Sequence, residues 1–506
     1  MLLCFFLVLD LNVNERFYLC CITQINKNNL CFVTKYNYIC LCFIVKDMFL
    51  KRDIEQNLFE WKTKGNRKPL IIRGARQVGK TTLVHHFSKS YKNYIHLNLE
   101  KPSDKKIFEQ GRDIKTITES LFLRKNISLS DSASTLLFLD EVQESTKAIA
   151  LLRYFYEEFP SLHVIAAGSL LEFSLRHIKN FPVGRVEFIY LHPMNFCEFL
   201  NAGGYTELLN HLNKIPVAEA AHSLLLELFN TYTIVGGMPE IVKLFMENRS
   251  FSALPVVYES LWESFLSDVE KYAHNESERK VIKHIFSTAH LYVDQRIKFQ
   301  NFGNSSYRSR EVGESFRVLD DAKLIQLIYP TTDISPPLKS DNRKSPRIQF
   351  LDTGLLNHNL NIQADMLNMY DLSNAYKGAI IPHIIMQELI SVQHNAYKKP
   401  KFWVRDKTQS SAEVDLLMVA GDKAIPVEIK SGPTGKLRSL HQFIDRSSHP
   451  YAVRIFANSF RIEQHKTPGG KEFLLMNLPY YLGTRLGEYI EFFTSEFPPG
   501  YSQPRV

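Results

Sequence analysis

The sequence predicts an α/β fold: a five-stranded parallel sheet, then a helical lid, a winged-helix-like connector and a second, smaller α/β domain. Three observations predict it. Short apolar runs alternate with helical stretches between Pro69 and Leu191. A glycine-rich nonapeptide separates the first apolar run from the first helix. A pair of acids closes a later apolar run, sixty positions after Lys80.

The first run, Pro69-Leu70-Ile71-Ile72, reads as a buried parallel strand, and Leu83-Val84-His85-His86-Phe87 reads as the opening turns of a helix. Between them stands Gly74-Ala75-Arg76-Gln77-Val78-Gly79-Lys80-Thr81-Thr82. Strand, G-x-x-x-x-G-K-T and helix together make a phosphate-binding loop in the context that this motif requires. Backbone N–H groups must turn inward on an anion, so Gly74 and Gly79 supply conformations that a side chain would obstruct. The helix N-terminus adds partial positive charge. Lys80 is placed for the β/γ-phosphates of ATP and the Thr81 hydroxyl for Mg²⁺, while Thr82 reads as helix packing at the edge of the cradle.

Tyr94–Leu99 reads as the second strand. Thr135–Leu139 is the third and ends in Asp140-Glu141. An acid at the end of a buried strand can hold the shell of Mg²⁺, which suits Asp140. Glu141 is placed to act as general base on water. A helix follows around Ile149–Glu158. The fourth strand, His163–Ala167, ends at Gly168-Ser169. Ser169 is then either a sensor beside the γ-phosphate or the N-cap of a helix over Leu170–His177, and one hydroxyl can serve both roles. Arg185, before the fifth strand Glu187–Leu191, is the candidate arginine for the γ-phosphate, with a surface ion pair as its alternative. Ligand is expected at the C-terminal ends of these strands.

Net charge is +8, apolar content 45% and charged content 23%. These values are ordinary for a globular protein, and the mild basicity permits nucleic-acid contact without arguing for it. Cys4, Cys20, Cys21, Cys31, Cys40 and Cys42 crowd the first 47 residues, and Cys197 stands alone beyond them. A body with one cysteine fits a reducing cytoplasm. Residues 1–47 show no sustained period and no signal-peptide layout, and no stretch there is long enough to span a membrane. They are expected to be a non-native leader, disordered or poorly packed, with Met48 as the start. No Cys/His dyad and no H-E-x-x-H supports peptidase or redox chemistry.

The stretches "LIIRGARQVGKTTLV", "LLFLDEVQ", "AAGSLL" and "PVGRVE" resemble the predicted AAA-superfamily ATPases (AAA_14-like) of bacteria and archaea. Those proteins carry a C-terminal domain of unknown function, DUF4143. The opening "KRDIEQNLFEWKTKGNRKPLIIRG" is also similar. The resemblance covers roughly 48–490. It implies an AAA-type P-loop core and ATP binding, and it leaves the biological role open.

After the fifth strand, helices are expected over Pro193–Leu200, Ala218–Tyr232, Ile241–Phe245 and Val256–Tyr272. The segment Val235-Gly236-Gly237-Met238-Pro239-Glu240 reads as a sharp reversal in the lid without a catalytic role. Arg308–Leu319 reads as a helix and Leu324–Ile328 as a strand. Lys298, Arg308 and Arg310 are either phosphate contacts or solvated charges. Asp352, in "RIQFLDTGLL", has no role that the sequence alone explains. In the last domain Ile384–Ile390 is a helix holding Gln387 and Glu388. Lys401–Arg405, Glu413–Met418 and Ala424–Ile429 are strands, with a hairpin turn at Gly421-Asp422. Asp415, Glu428 and Lys430 then make a D…E-x-K set. Two carboxylates can hold Mg²⁺, a lysine can orient water, and Glu388 is a further candidate ligand; this is the chemistry of phosphodiester hydrolysis. The pattern resembles the PD-(D/E)XK nuclease superfamily, with one departure: Pro382 stands where the family has a helix Glu.

The expected domains are a leader 1–47, P-loop core 48–200, lid 201–275, connector 276–346, nuclease-like domain 347–490 and tail 491–506. Two function classes stay open. One is an ATP-controlled nuclease acting on DNA. The other is a nucleotide-dependent switch or adaptor whose C-terminal domain binds a partner without cutting. Partners beyond ATP are DNA, further copies of the chain or an unknown protein, with no membrane.

Overall fold

The structure, a computed structural model, describes residues 49–169, 181–182, 184–273, 275–369, 371–395, 397–406, 412–429 and 437–498. Met48, the expected helix Leu170–His177 and Lys430 lie outside the described residues. The chain divides into two units, Met1–Phe49 and Leu50–Val506, and the fold is that of the second.

Helix α1 (Glu55–Thr63) leads into β1 (Leu70–Arg73), the loop, and α2 (Lys80–Ser88). Then come β2 (Asn93–Asn98), α3 (Pro102–Glu109), α4 (Ile114–Arg124), β3 (Thr135–Asp140), α5 (Thr146–Glu158), β4 (His163–Ala167) and β5 (Glu187–Tyr190). The five strands form one sheet in the order β2-β3-β4-β1-β5, with every pairing parallel. Strands β3 and β4 are buried throughout, as a sheet covered on both faces requires. Parallel strands align their C-terminal ends, so the loop after β1, Asp140 at the end of β3 and Ser169 just past β4 share one edge.

The helical stretch holds α6 (Phe196–Ala202), α7 (Thr206–Leu212), α8 (His222–Val235), α9 (Pro239–Asn248) and α10 (Leu254–Tyr272). Helix α7 has no counterpart in the sequence expectation. Only Leu212 of it is buried, so its apolar period is weak. Next come α11 (Glu276–Thr288), α12 (Ser309–Asp321) and an antiparallel hairpin of β6 (Ile325–Ile328) with β7 (Arg347–Phe350). Thus Arg347–Phe350, where the sequence reading opened its last domain, is bonded to the strand before it.

Helices α13 (Thr353–Asn359), α14 (Gln363–Met366) and α15 (Ile380–Ser391) lead into a mixed six-stranded sheet. Its strands are β8 (Lys401–Val404), β9 (Glu413–Ala420), β10 (Lys423–Ile429), β11 (Tyr451–Phe456), β12 (Arg461–Lys466) and β13 (Glu472–Pro479), in the order β12-β13-β11-β10-β9-β8. The β9–β10 turn falls at Gly421-Asp422, as expected. Helices α16 (Arg438–Ile444) and α17 (Leu486–Glu496) complete the fold. No helix among the described residues is long and apolar enough to cross a membrane.

The reversal at Gly236-Gly237 and the Asp352-Thr353-Gly354 segment lie backbone against backbone. A Cβ on Gly237 would stand 2.1 Å from the Met194 carbonyl oxygen, and one on Gly354 2.1 Å from that of Val235. Asp352, 1% exposed, accepts the Gly237 N–H at 2.6 Å, the Leu355 N–H at 3.0 Å and the Gln387 amide at 3.2 Å. These contacts give Asp352 the role that the sequence left blank: it ties α8–α9 to α13 and α15. Replacing Gly354 by Ala is expected to lower stability by about 1–3 kcal/mol, the usual scale of overpacking. Urea unfolding checks this, and an unchanged midpoint would show that the backbones can part.

Candidate active site at the glycine-rich loop

Gly74 leaves β1 with φ 153°, and a Cβ there would meet the Leu191 carbonyl oxygen at 2.2 Å. The loop closes at Gly79, φ 95°, which caps α2. Lys80 folds back under it: its Nζ donates to the Gly74 carbonyl at 3.1 Å and the Ala75 carbonyl at 2.8 Å. Burial pulls the ammonium down to about 8, against the pull of Glu141 and Asp140. Burial disfavours the charged form, and an anion beside it would favour that form.

Thr81 Oγ1 donates to Asp140 Oδ2 at 2.9 Å. Asp140 Oδ1 accepts the Glu141 N–H at 3.1 Å, and His96 Nε2 stands 3.6 Å from Oδ2. Glu141 is in the left-handed region, φ 50°, which a glutamate adopts only where its surroundings hold it there. Gln143 donates to its Oε2 at 2.6 Å, and burial pushes the carboxyl upward. Lys80, Thr81, Asp140 and Glu141 therefore meet in one place, as the sequence expects. The residues present fit Mg²⁺: a hydroxyl and a carboxylate already approach each other on the phosphate side of the loop.

Other candidates stand differently. Ser169 is half-buried on the same edge of the sheet, past Gly168. Arg185 is corrected. It precedes β5, whose Glu187 aligns with Leu70 at the start of β1, and its Nε donates to Glu157 at 2.9 Å. It thus lies at the opposite end of the sheet, about 13 Å along the strands from the loop, and makes the surface pair that was its alternative. Thr82, read as packing, is exposed. Arg76 and Gln77 turn away toward α10, Arg76 to Asp268 and Gln77 Nε2 to Ser264 Oγ at 3.0 Å.

Sequence reasoning missed Arg52. It is buried, pairs with Glu198 at 3.0 Å, and donates to the carbonyls of Val78 at 3.0 Å and His192 at 2.6 Å. It braces the loop from behind. No local motif marks it, because its partners lie 26 and 140 positions away.

Of the C-terminal candidates, Asp415 and Glu428 come together on one face of the β9–β10 pair and Glu388 does not. The register places Glu428 opposite Asp415, continuing from Val427 opposite Leu416. Asp415 Oδ2 accepts the Ile429 N–H at 2.9 Å, and Oδ1 faces the guanidinium of Arg347 at 3.3 Å. Glu428 is buried. Glu388 is corrected as a ligand. It is 0% exposed and turned elsewhere, bonded to the Phe196 N–H at 3.2 Å and the Tyr232 hydroxyl at 2.6 Å. No three His, Cys, Asp or Glu among the described residues are grouped to hold a metal.

Residues 66–200 match the profile of the AAA domain (AAA_14). That stretch is similar to an AAA domain. Its profile spans the loop, Asp140 and Glu141 and ends within α6. Residues 226–366 match a domain of unknown function (DUF8612), and 377–473 match another (DUF4143). No curated protein matches the chain. Among solved structures, a Walker-type ATPase of Pyrococcus abyssi is 14% identical, with 62% of this chain and 96% of that one covered and a TM-score of 0.40. A signal transduction ATPase with numerous domains (STAND) from Pyrococcus horikoshii, bearing a tetratricopeptide repeat sensor, is 12% identical. There 68% of this chain and 48% of that one are covered, with a TM-score of 0.25.

Glu388 yields a pH prediction. Burial pushes its carboxyl from 4.5 up to about 8, and Glu198 and Asp53 add to the shift. The folded state then keeps a proton that the unfolded state releases. The group's contribution to stability is full below pH 4.5, falls between pH 4.5 and 8, and is gone above 8. Urea midpoints across that range should fall less steeply for Glu388→Gln than for wild type; identical slopes would place the proton elsewhere.

Proposed function

We propose that the chain binds ATP with Mg²⁺ at Gly74–Thr82 and hydrolyses it, and that nucleotide occupancy drives a switch whose output is the C-terminal domain. The observation that carries the hydrolysis is the Thr81–Asp140 contact, 2.9 Å, beside the buried Lys80.

Bound Mg²⁺ supplies a counter-charge to the β/γ-phosphates, and Thr81 and Asp140 would hold it. Lys80 releases the Gly74 and Ala75 carbonyls for phosphate oxygens, a better partner for a dry ammonium. The loop N–H groups and the α2 N-terminus bind the remaining charge. Glu141 accepts the proton of the attacking water at a carboxylate oxygen, held in place by Gln143. Ser169, on the same edge of the sheet, is the candidate for stabilising the charge that develops.

The switch reading is supported by the nearness of the loop to α9 and by hydrogen bonds beyond it. A Cβ on Gly79 would lie 3.7 Å from Pro239, the first residue of α9. Gly237, two residues earlier, is bonded to Asp352, and Asp352 to Gln387 of α15. Helix α15 opens the DUF4143 region. A loop that rearranges around phosphate thus presses on an element bonded to the output domain. The helix pair α11–α12 and the β6–β7 hairpin support the winged-helix-like reading of the connector. DNA cleavage at Asp415 and Glu428 is set aside, because Arg347 already engages Asp415.

Lys80→Ala should abolish ATP binding measured by calorimetry. Glu141→Gln should keep binding and lower turnover by about 10²–10⁴, the scale of general-base catalysis. Undiminished turnover in either variant would overturn the assignment.

A further inference from the structure

We propose that Arg347 is the resident cation of the C-terminal carboxylate cluster, taking the place that a divalent metal holds in a nuclease of this layout. The six-stranded sheet then does not hydrolyse phosphodiesters at Asp415. The inference goes beyond the ATP reading and does not depend on it.

Arg347, on β7, has a side chain only 13% exposed. Its Nη1 lies 3.1 Å from Asp294, and its Nη2 meets Glu413 and lies 3.3 Å from Asp415. Three carboxylates therefore converge on one guanidinium. Both oxygens of Asp415 are used, one by Arg347 and the other by the Ile429 N–H. Arg296 adds a second positive charge 3.9 Å from Glu413. Mg²⁺ demands several oxygens at about 2.0–2.1 Å in octahedral array. A planar fork that already bonds one oxygen of each acid competes with a metal for them, and a buried pair is costly to break.

The missing helix carboxylate points the same way. Pro382 and Met386 of α15 line one cleft with Asp294, Arg347 and Asp415. The residue that a metal site would need at that wall is the proline. The one carboxylate on this helix, Glu388, is bonded to Phe196 and Tyr232 instead.

The cluster has a mechanical role. Asp294 precedes α12, Arg347 belongs to the hairpin, and Glu413 and Asp415 belong to β9. The guanidinium fastens the hairpin to β9, and a bridge between Thr331 and Trp403 joins the same connector to the edge strand β8. A charge that ties two modules is supplied by the chain itself and needs no metal.

The test has two arms on the full chain. In the first, Thr81→Ala with Asp140→Ala removes the loop's own Mg²⁺ ligands, and Mn²⁺ binding is followed by electron paramagnetic resonance. No bound ion is expected; an ion lost on adding Asp415→Asn would overturn the proposal. In the second, unfolding midpoints are compared. Arg347→Met should lower the midpoint by several degrees, and adding Asp415→Asn should recover part of that loss, because one unpaired carboxylate is then neutral. Strictly additive losses would show that Arg347 does not serve the cluster as its cation and would overturn it.

Discussion

The Asp352 carboxylate is the constraint on which Leu50–Val506 depends. It is buried, and each oxygen is answered by a backbone N–H: Gly237 on one side, Leu355 on the other. An unanswered carboxylate there would cost far more than the net value of the bonds, so the surrounding chain must keep its donors in place. Gly236, Gly237 and Gly354 follow from that. They are the residues that let two backbones approach within hydrogen-bond distance of one side chain. Around Asp352 a satisfied network extends through Gln387, Thr353 and His383. Thr353 gives its N–H and hydroxyl to Gln387 at 2.8 Å, and His383 accepts the Phe350 N–H at 3.0 Å. Burial holds His383 neutral, at about 3, which suits an acceptor nitrogen.

That network reaches toward the glycine-rich loop, because Gln387 lines one cleft with Gly74 and Ala75. The loop itself is charged and poised. Lys80 is dry and bonded only to carbonyls, Asp140 is shared between Thr81 and a backbone N–H, and Arg52 braces the turn from behind. Under the proposed function, phosphate would replace the Gly74 and Ala75 carbonyls as the partner of Lys80. The two regions therefore differ in kind. One is a fixed polar joint, and the other is a set of replaceable bonds. A rigid joint beside an exchangeable site would suit the switch proposed above.

The parallel sheet and its loop were legible because their chemistry is local. An apolar run, a glycine turn and a helix fix Gly74–Thr81 within a dozen residues, and Asp140-Glu141 declares itself at a strand end. What escaped reading was set by distance. Arg52 and Asp352 act on partners more than twenty and a hundred positions away, so no window reveals them. Arg185 was misread because a nearby strand suggests a site without saying which end of it faces the ligand. Glu388 shares a helix with the family's carboxylate position but points to the other side, and only the packing of α15 decides that. The turn at Gly421-Asp422 marked the hairpin correctly, yet no local pattern could show that Arg347, from another module, sits beside Glu413 and Asp415.

Coupling between the loop and the C-terminal domain is most directly tested by hydrogen exchange on the full chain, with and without ATP and Mg²⁺. If the account is right, protection changes at the loop and α2 and also at Gly237–Val242 and across α15. Changes confined to the loop and α2, with Gly237–Val242 and α15 unaltered, would contradict it.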